Sequence, residues 1–426
     1  MIKNKLNSSP KGMRSYLPEK ASELDSIKEN INRVFNLWGY KPIITPTLEY
    51  YDSLLTGMGQ KTKKEFYKLI DYEGNILALR PEMTAPIART IAGRLNELDL
   101  PLRFSYSAPV FRYDSPQVGK NREIFQMGIE LIGKVSAGDV ESIIIAIEAI
   151  KSSGIKNFRL NLGHTGYLDG ILNKANVDNE VEKKLKSYLN KKDLVGYKKY
   201  INELSISDSD KKALLTLPEL RGANDILNRA EGLIDNKMSS KSIEKLKRVY
   251  NSLIEYGVGN YISFDLSLIR GLDYYTGIVF EGFNENLGYT ICGGGRYDNL
   301  LKKYGDNKIP AVGFAIGLER VWLALKKEGH TFNKPNIDGM VIFPPQNRGI
   351  ALKTVRYLHK KGLNIVIEES DTEEGLVEKF KNQGVEKIIS FFNYQSDKSF
   401  NVYGNDENVS RINLEEGWVD KIWNKL

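Results

Sequence analysis

A chain of 426 residues exceeds what one ordinary core organises and is expected to divide into two or three domains. With 41% hydrophobic and 27% charged residues, no run near the ~20 apolar residues that span a bilayer, and no signal-peptide core at its start, it reads as a cytoplasmic globular protein. One cysteine, Cys292, excludes a disulfide framework and a cysteine zinc site, and three scattered histidines (His164, His330, His359) leave no metal centre to expect. The net charge of +7 raises nucleic acid as a partner, but residues 336–426 hold 12 basic against 14 acidic side chains. The densest basic run, Lys183-Lys184 to Lys198-Lys199, reads as the solvated face of a Lys-rich helix. Neither a membrane nor a nucleic acid is expected as a partner.

In chain order, Leu24, Ile27, Ile31, Val34 and Phe35 recur at helical spacing over 21–37, and Gly39 ends that helix. Residues 42–49 read as an extended strand broken by proline. Segments 66–70 and 76–80 flank a turn sequence and form a hairpin. A helix over 84–98 follows, then strand material at 102–107 and 110–113, a polar loop over 114–121 and a strand over 123–132. An apolar helix spans 138–152 and a strand 157–162. From about 167 to 256 the pattern is helices alone, read as an insertion. Strand signal resumes at Tyr261, turns at 284–288 and continues through Cys292-Gly-Gly-Gly-Arg-Tyr-Asp298. A strand over 310–317 leads into a helix over 318–327, and 333–338 looks like a linker. The tail alternates strand and helix (340–343, 350–361, 364–367, 373–383, 387–392), a βαβαβ unit with a parallel core. The expected fold is α+β. A mostly antiparallel sheet with segregated helices and the insertion covers 1–330, and a small α/β domain covers 337–426.

The chemistry concentrates in Arg270-Gly-Leu-Asp-Tyr-Tyr-Thr-Gly-Ile-Val-Phe-Glu281. Arg270 can grip a carboxylate or phosphate bidentately, and Tyr274 and Tyr275 point to opposite faces if the segment is a strand. The same residues also suit an ordinary half-buried strand. Leu79-Arg-Pro-Glu-Met-Thr-Ala-Pro86 places Glu82 and Thr84 at a helix start, where they bind a ligand ammonium or simply cap the helix. Arg112, Lys120 and Arg122 lie on a strand-loop-strand that suits phosphate oxygens. Gln126 and Glu130 share one strand face, opposite Met127, Ile129 and Leu131, so theirs is either solvent or pocket. Gly313-Phe-Ala-Ile-Gly-Leu-Glu-Arg320 sets Arg320 just inside a helix that leaves a glycine-lined strand. There is no Walker loop, nucleophile elbow or dinucleotide fingerprint.

At these residues, over almost the whole of the first 325 positions, the sequence resembles the class II histidyl-tRNA synthetase family. Gly39-Tyr-Lys-Pro-Ile-Ile-Thr-Pro looks like class II motif 1, Phe111-Arg-Tyr-Asp with Gln126 and Glu130 like motif 2, and 313–320 like motif 3. The run from Arg270 to Tyr275 matches the histidine-specific signature. The resemblance implies that Glu82, Thr84 and Gln126 hold an amino group, and Glu130 and Tyr275, beside Tyr274, an imidazole. It gives Arg270 a carboxylate or α-phosphate, and Arg112, Arg122 and Arg320 a vestigial nucleotide site. Its paralogue, the regulatory subunit of ATP phosphoribosyltransferase, shares this body. Three departures favour the paralogue: Met83 inside R-P-E-M-T-A-P-I-A-R, Phe125 where the synthetase usually has histidine, with Lys120 where it has arginine, and the acidic tail. The resemblance then implies no catalysis and no required cofactor. It implies histidine as effector, a short-form catalytic ATP phosphoribosyltransferase subunit as partner, and a homodimer inside a hetero-oligomer. Mg and ATP enter only under the synthetase alternative.

Overall fold

A computed structural model describes residues 7–113, 121–270, 274–288, 290–332, 337–385, 387–394, 399–404 and 409–413. Lys120, Asp273, most of the 114–121 loop and most of the 333–338 linker lie outside the described residues. The chain divides into two compact units, Met1–Phe332 and Asn333–Leu426.

In the first unit, helix α1 (Pro18–Leu37) is followed by strands β1 (Lys41–Pro42) and β2 (Leu48–Tyr50), and helix α2 (Tyr51–Met58). Next come β3 (Lys68–Ile70), β4 (Ile76–Leu79), α3 (Thr84–Ala92), β5 (Leu102–Phe111), β6 (Glu123–Ile132), α4 (Gly138–Ser152) and β7 (Phe158–His164). Helices α5 (Thr165–Lys174), α6 (Asn179–Lys191), α7 (Leu194–Glu203) and α8 (Asp208–Thr216) precede β8 (Arg221–Gly222), α9 (Asp225–Glu231) and α10 (Lys237–Glu255). The unit closes with β9 (Ile262–Asp265), β10 (Ile278–Asn284), β11 (Thr290–Arg296), β12 (Ala311–Gly317) and α11 (Leu318–Lys327).

The large sheet runs β1-β5-β6-β12-β11-β10-β7-β9-β8. Only β1–β5 and β7–β9 pair parallel; the other pairs are antiparallel. One face carries α1, α4 and α11. Helix α4 is apolar nearly all round, with Ile143, Ile144, Ile145, Ile147 and Ile150 buried, as a helix sandwiched within the core must be. The opposite face bears a second cluster built on Met83, Tyr106, Tyr274 and Tyr297.

Four local readings change in three dimensions. Strand β5 is continuous through Pro109. Its carbonyl accepts from Arg80 Nε at 3.0 Å and the N–H of its partner Phe125 goes to Glu319, so the pair needs no ladder hydrogen bond. The helix expected over 84–98 stops at Ala92, with a short 3-10 turn over Leu95–Glu97. The strand expected to run from Tyr261 through Arg270 ends at Asp265, whose carboxylate accepts the Ser267 N–H at 3.0 Å and turns the chain out of the sheet. The insertion is not purely helical, because β8 pairs with β9 and Arg221 meets Asp265 at 3.0 Å. Tyr197 and Leu214 of the insertion belong to the same buried cluster as α4, so it is packed into the unit.

The second unit contains β13 (Gly339–Phe343), α12 (Arg348–Lys360), β14 (Ile365–Glu369), α13 (Leu376–Asn382) and β15 (Ile388–Ser390), the expected βαβαβ. It also carries an antiparallel pair the sequence reading left out, β16 (Ser399–Tyr403) and β17 (Val409–Asn413), giving the order β14-β13-β15-β16-β17.

Asp139, 2% exposed, ties three elements of the first unit together at the start of α4. It meets Arg296 Nε at 2.7 Å and Lys245 Nζ of α10 at 2.8 Å. Those cations hold its carboxyl below the ordinary 3.8 against the opposing effect of burial. Its contribution is therefore complete above the carboxylate range and fades as pH falls below it. Asp139→Ala should cost about 3 kcal/mol in urea unfolding at pH 7, the low end for a buried pair because Lys245 keeps contact with solvent, and less at acid pH.

Candidate functional site

The site is built outward from Arg80, which is 4% exposed. Its guanidinium donates to the carbonyls of Thr45 (2.7 Å), Pro46 (3.2 Å) and Pro109 (3.0 Å), fixing the end of β4 to β5 and to the loop before β2. Two residues on, the buried Glu82 caps α3. Its Oε2 accepts the Thr84 N–H at 2.8 Å and its Oε1 the Ala85 N–H at 2.7 Å. Free helix-start amides and the positive end of the helix dipole favour a carboxylate there. The capping reading therefore holds, with Glu82 rather than Thr84 as the cap. Thr84 is left to donate its hydroxyl to Glu130 Oε1 at 2.6 Å, and the Tyr297 hydroxyl donates to Glu130 Oε2. Tyr274 donates to Glu82 at 3.4 Å.

Strand β6 turns Gln126 and Glu130 toward this cluster and Met127, Ile129 and Leu131 toward the helical layer, so the open face of the sequence reading is buried, not solvated. Glycine makes room on the neighbouring strands. A Cβ at Gly313 would lie 1.9 Å from Glu130 Oε2, and one at Gly293 1.8 Å from Arg270 Nη1. Arg270 lies across β11 and donates from Nη1 to Phe280 O at 3.3 Å and Glu281 Oε1 at 3.2 Å. Its Cζ is 5.6 Å from the Tyr275 ring, within cation–π reach. The Tyr275 ring is 4.8 Å from Tyr274, which is 5.7 Å from Tyr297. The strand that would have set the two tyrosines on opposite faces does not extend over them. Residues 274–277 are not a strand, and both rings join one chain of contacts from Glu82 to Arg270.

Burial dominates the electrostatics. It lifts Glu130 to about 8, with the nearby charge of Glu82 adding to the rise, although the hydroxyls of Thr84 and Tyr297 oppose it. Burial also raises Glu82 against its two amide donors. Glu130 is thus mostly protonated at neutral pH, with no cation facing it among the described residues. Among the described residues, two buried polar atoms here have no hydrogen-bond partner: Gln126 Oε1, an acceptor, and Arg270 Nε, a donor. A small molecule carrying a cationic donor at one end and an anionic acceptor at the other complements both.

The remaining candidates are less uniform. Arg112 donates from Nε to Pro81 O at 2.8 Å, beside Glu82. Arg320 donates to Thr290 O at 2.5 Å, and Thr290 bonds Glu281, the partner of Arg270. Arg122 turns toward the N-terminal segment: its N–H meets Gly12 O at 2.7 Å and its guanidinium lies 4.2 Å from the Tyr113 ring. Met83, 1% exposed, packs in the tyrosine cluster. Phe125 faces the helical side under Lys28, 4.4 Å away, so this departure does not line the carboxylate cluster. Tyr297 and Tyr106 were not singled out in the sequence; the only signal was the glycine run before Tyr297. Among the described residues no group of three His, Cys, Asp or Glu side chains could hold a metal, and no helix is long and apolar enough to cross a membrane.

A family model described as histidyl-tRNA synthetase matches residues 12–321. An ATP phosphoribosyltransferase regulatory subunit from Halothermothrix orenii is 52% identical over 97% of this chain and 98% of its own. The chain belongs to the ATP phosphoribosyltransferase regulatory subunit family. A family relative from Desulforamulus reducens is 39% identical over 83% of this chain and 88% of its own. The solved structure of an ATP phosphoribosyltransferase regulatory subunit/histidyl-tRNA synthetase from Bacillus halodurans C superposes with TM-score 0.79 at 34% identity, covering 88% of this chain and 96% of the other. Histidyl-tRNA synthetase from Nostoc sp. PCC 7120 shares the fold at TM-score 0.79 and 23% identity, over 99% of each chain. The regulatory family is thus built on a class II synthetase-like body.

Because Glu130 binds its proton more tightly folded than unfolded, native stability should fall as pH rises from the ordinary carboxyl range near 4.5 to about 8. Glu130→Gln should remove most of that slope, gaining on the order of 1–3 kcal/mol over the parent at pH 8 and almost nothing at pH 4.5. Urea titrations of the ligand-free protein at the two pH values check this.

Proposed function

We propose that this chain is a non-catalytic histidine sensor that carries feedback control to a catalytic ATP phosphoribosyltransferase subunit, at the first step of histidine biosynthesis. The observation that carries the reading is the pair of unpartnered buried atoms, Gln126 Oε1 and Arg270 Nε, beside the carboxyl groups of Glu82 and Glu130. An amino acid with a basic side chain supplies what each lacks. Its ammonium suits Gln126, Thr84 and Glu82, its carboxylate suits Arg270, and its imidazole suits Glu130 and Tyr275, with Tyr274 steadying the ring of Tyr275. Relatives named as regulatory subunits over nearly the whole chain support regulation rather than aminoacylation.

Arg112 and Arg320 are already engaged with Pro81 O and Thr290 O, and Arg122 is turned away, so these three are assigned a vestigial nucleotide site; the reading requires no cofactor. The partner is assigned as a short-form catalytic subunit in the cytoplasm. Control follows if histidine binds the inhibited assembly more tightly than the active one. A homodimer within the hetero-oligomer is supported by the exposed apolar side chains of Leu48, Tyr50, Leu69, Ile70 and Ile76 on the small β2-β4-β3 sheet.

In calorimetry, histidine should bind at pH 7 with little net proton exchange, because the proton held by Glu130 passes to an imidazole that arrives mostly neutral; the apparent enthalpy will then be nearly independent of buffer ionisation heat. Gln126→Leu should weaken binding roughly 10-fold or more by stranding a ligand donor. Robust histidine-dependent ATP–pyrophosphate exchange would overturn the non-catalytic reading, and absence of histidine binding would overturn the sensor. In light scattering, the double substitution Tyr50→Asp, Ile70→Asp should halve the mass of the isolated chain.

A further inference from the structure

The tyrosine pair lies where no strand sets its direction. Residues 274–277 are outside the ladder, and β10 begins only at Ile278. The rings of Tyr274 and Tyr275 nevertheless meet each other at 4.8 Å, and Tyr274 meets Tyr297 at 5.7 Å. Their placement against Tyr297 therefore rests on contacts other than strand pairing.

The stretch from Arg296 to Asp298 is a fixed frame. Tyr297 N–H donates to Ala311 O at 2.8 Å, and Ala311 N–H donates to Asp298 Oδ1 at 3.2 Å. Arg296 meets Asp139 through Nε at 2.7 Å and Asp298 through Nη1 at 3.1 Å. Thr276 grips this frame on both sides of Tyr297. Its N–H donates to Arg296 O at 2.8 Å, and its hydroxyl accepts the Asp298 N–H at 2.9 Å while lying 3.5 Å from Arg296 O. One residue thus bonds the peptide groups before and after Tyr297, and its own covalent neighbour is Tyr275. Glycine permits the close approach: a Cβ at Gly295 would lie 3.0 Å from Tyr275 Cδ1, and one at Gly277 3.1 Å from Arg296 Cδ. Valine at 276 would keep the branch but leave the Asp298 N–H without this acceptor.

We propose that Thr276 is a positioning residue of the amino-acid site, whose hydroxyl locks the tyrosine segment to the Arg296–Asp298 frame and so sets the Tyr275 ring at the imidazole end of the ligand. The proposal rests on the histidine reading above. Thr276 acts through Tyr275 rather than by touching the ligand, as a supporting contact that holds a binding group in its working geometry.

Histidine calorimetry and hydrogen exchange on the full chain test this, with Thr276→Val removing the hydroxyl and Thr276→Ser keeping it. Thr276→Val should weaken histidine binding roughly 5-fold or more, and Thr276→Ser should stay within about twofold of the parent. Lost packing alone predicts the reverse order, because serine lacks the methyl group that valine retains. In a Tyr275→Phe background the loss caused by Thr276→Val should shrink by roughly threefold or more, since the hydroxyl it places is gone. In the ligand-free protein, amides of residues 274–278 should exchange faster in Thr276→Val than in the parent or Thr276→Ser, although valine keeps the N–H that meets Arg296. Parent-like affinity in Thr276→Val, equal weakening in both variants, or unchanged exchange over 274–278 would overturn the positioning role. If the parent binds no histidine, the sensor reading falls, and the exchange comparison by itself decides whether the hydroxyl holds the segment.

Discussion

The organisation of the first unit turns on one constraint: a carboxyl group, Glu130, sits at 0% exposure in the middle of a sheet, with no cation paired to it among the described residues. Such a group is tolerated only if it is hydrogen-bonded and mostly protonated. Thr84 and Tyr297 supply the hydrogen bonds from two different parts of the chain. Thr84 is free to do so because Glu82 takes over the helix cap, and Glu82 is placed by the Arg80 knot of three carbonyls. Removing any member leaves a buried polar group without its partner.

The glycines of β11 and β12 belong to the same constraint. In most sheets a strand face is filled by its own side chains. Here Gly293 and Gly313 vacate the face so that Arg270 and Glu130 can lie flat upon it. The loss of packing and backbone restraint that glycine brings to a strand is thereby exchanged for two long polar side chains aimed into one cluster. Among the described residues, Gln126 Oε1 and Arg270 Nε are left beside that cluster as a buried acceptor and a buried donor without a hydrogen-bond partner.

The insertion is tied to this machinery rather than hung beside it. Thr165 N donates to Gly277 O at 3.0 Å, directly after the tyrosine pair. Lys245 of α10 reaches Asp139, whose other partner, Arg296, accepts the Thr276 N–H on its carbonyl. The segment carrying Tyr274 and Tyr275 is thus held from the sheet and from both ends of the insertion. The tyrosine segment and the insertion therefore share direct hydrogen bonds and ion pairs.

Patterns of short range were legible in the sequence: helix α4 and strand β6 from unbroken apolar and alternating runs, the β3–β4 hairpin from its turn, and the common face of Gln126 and Glu130 from the strand period. Glu82, Thr84, Gln126, Glu130, Arg270, Tyr274 and Tyr275 stood out as candidates because their types and spacing are those of a family signature, whereas Tyr106 and Tyr297 did not. Three things depended on tertiary structure. The end of β9 at Asp265 depends on a side chain bonding its own backbone, which competes with the ladder at no visible cost in pattern. The gathering of Tyr274, Tyr275 and Tyr297 depends on a segment that leaves the sheet, where strand alternation no longer applies. The proton on Glu130 depends on burial and on Glu82, 48 positions away in the chain. Sequence determines which groups are available and which face of an element they occupy; only the folded chain decides which of them are deprived of water, and that deprivation sets both their charge and what they can bind.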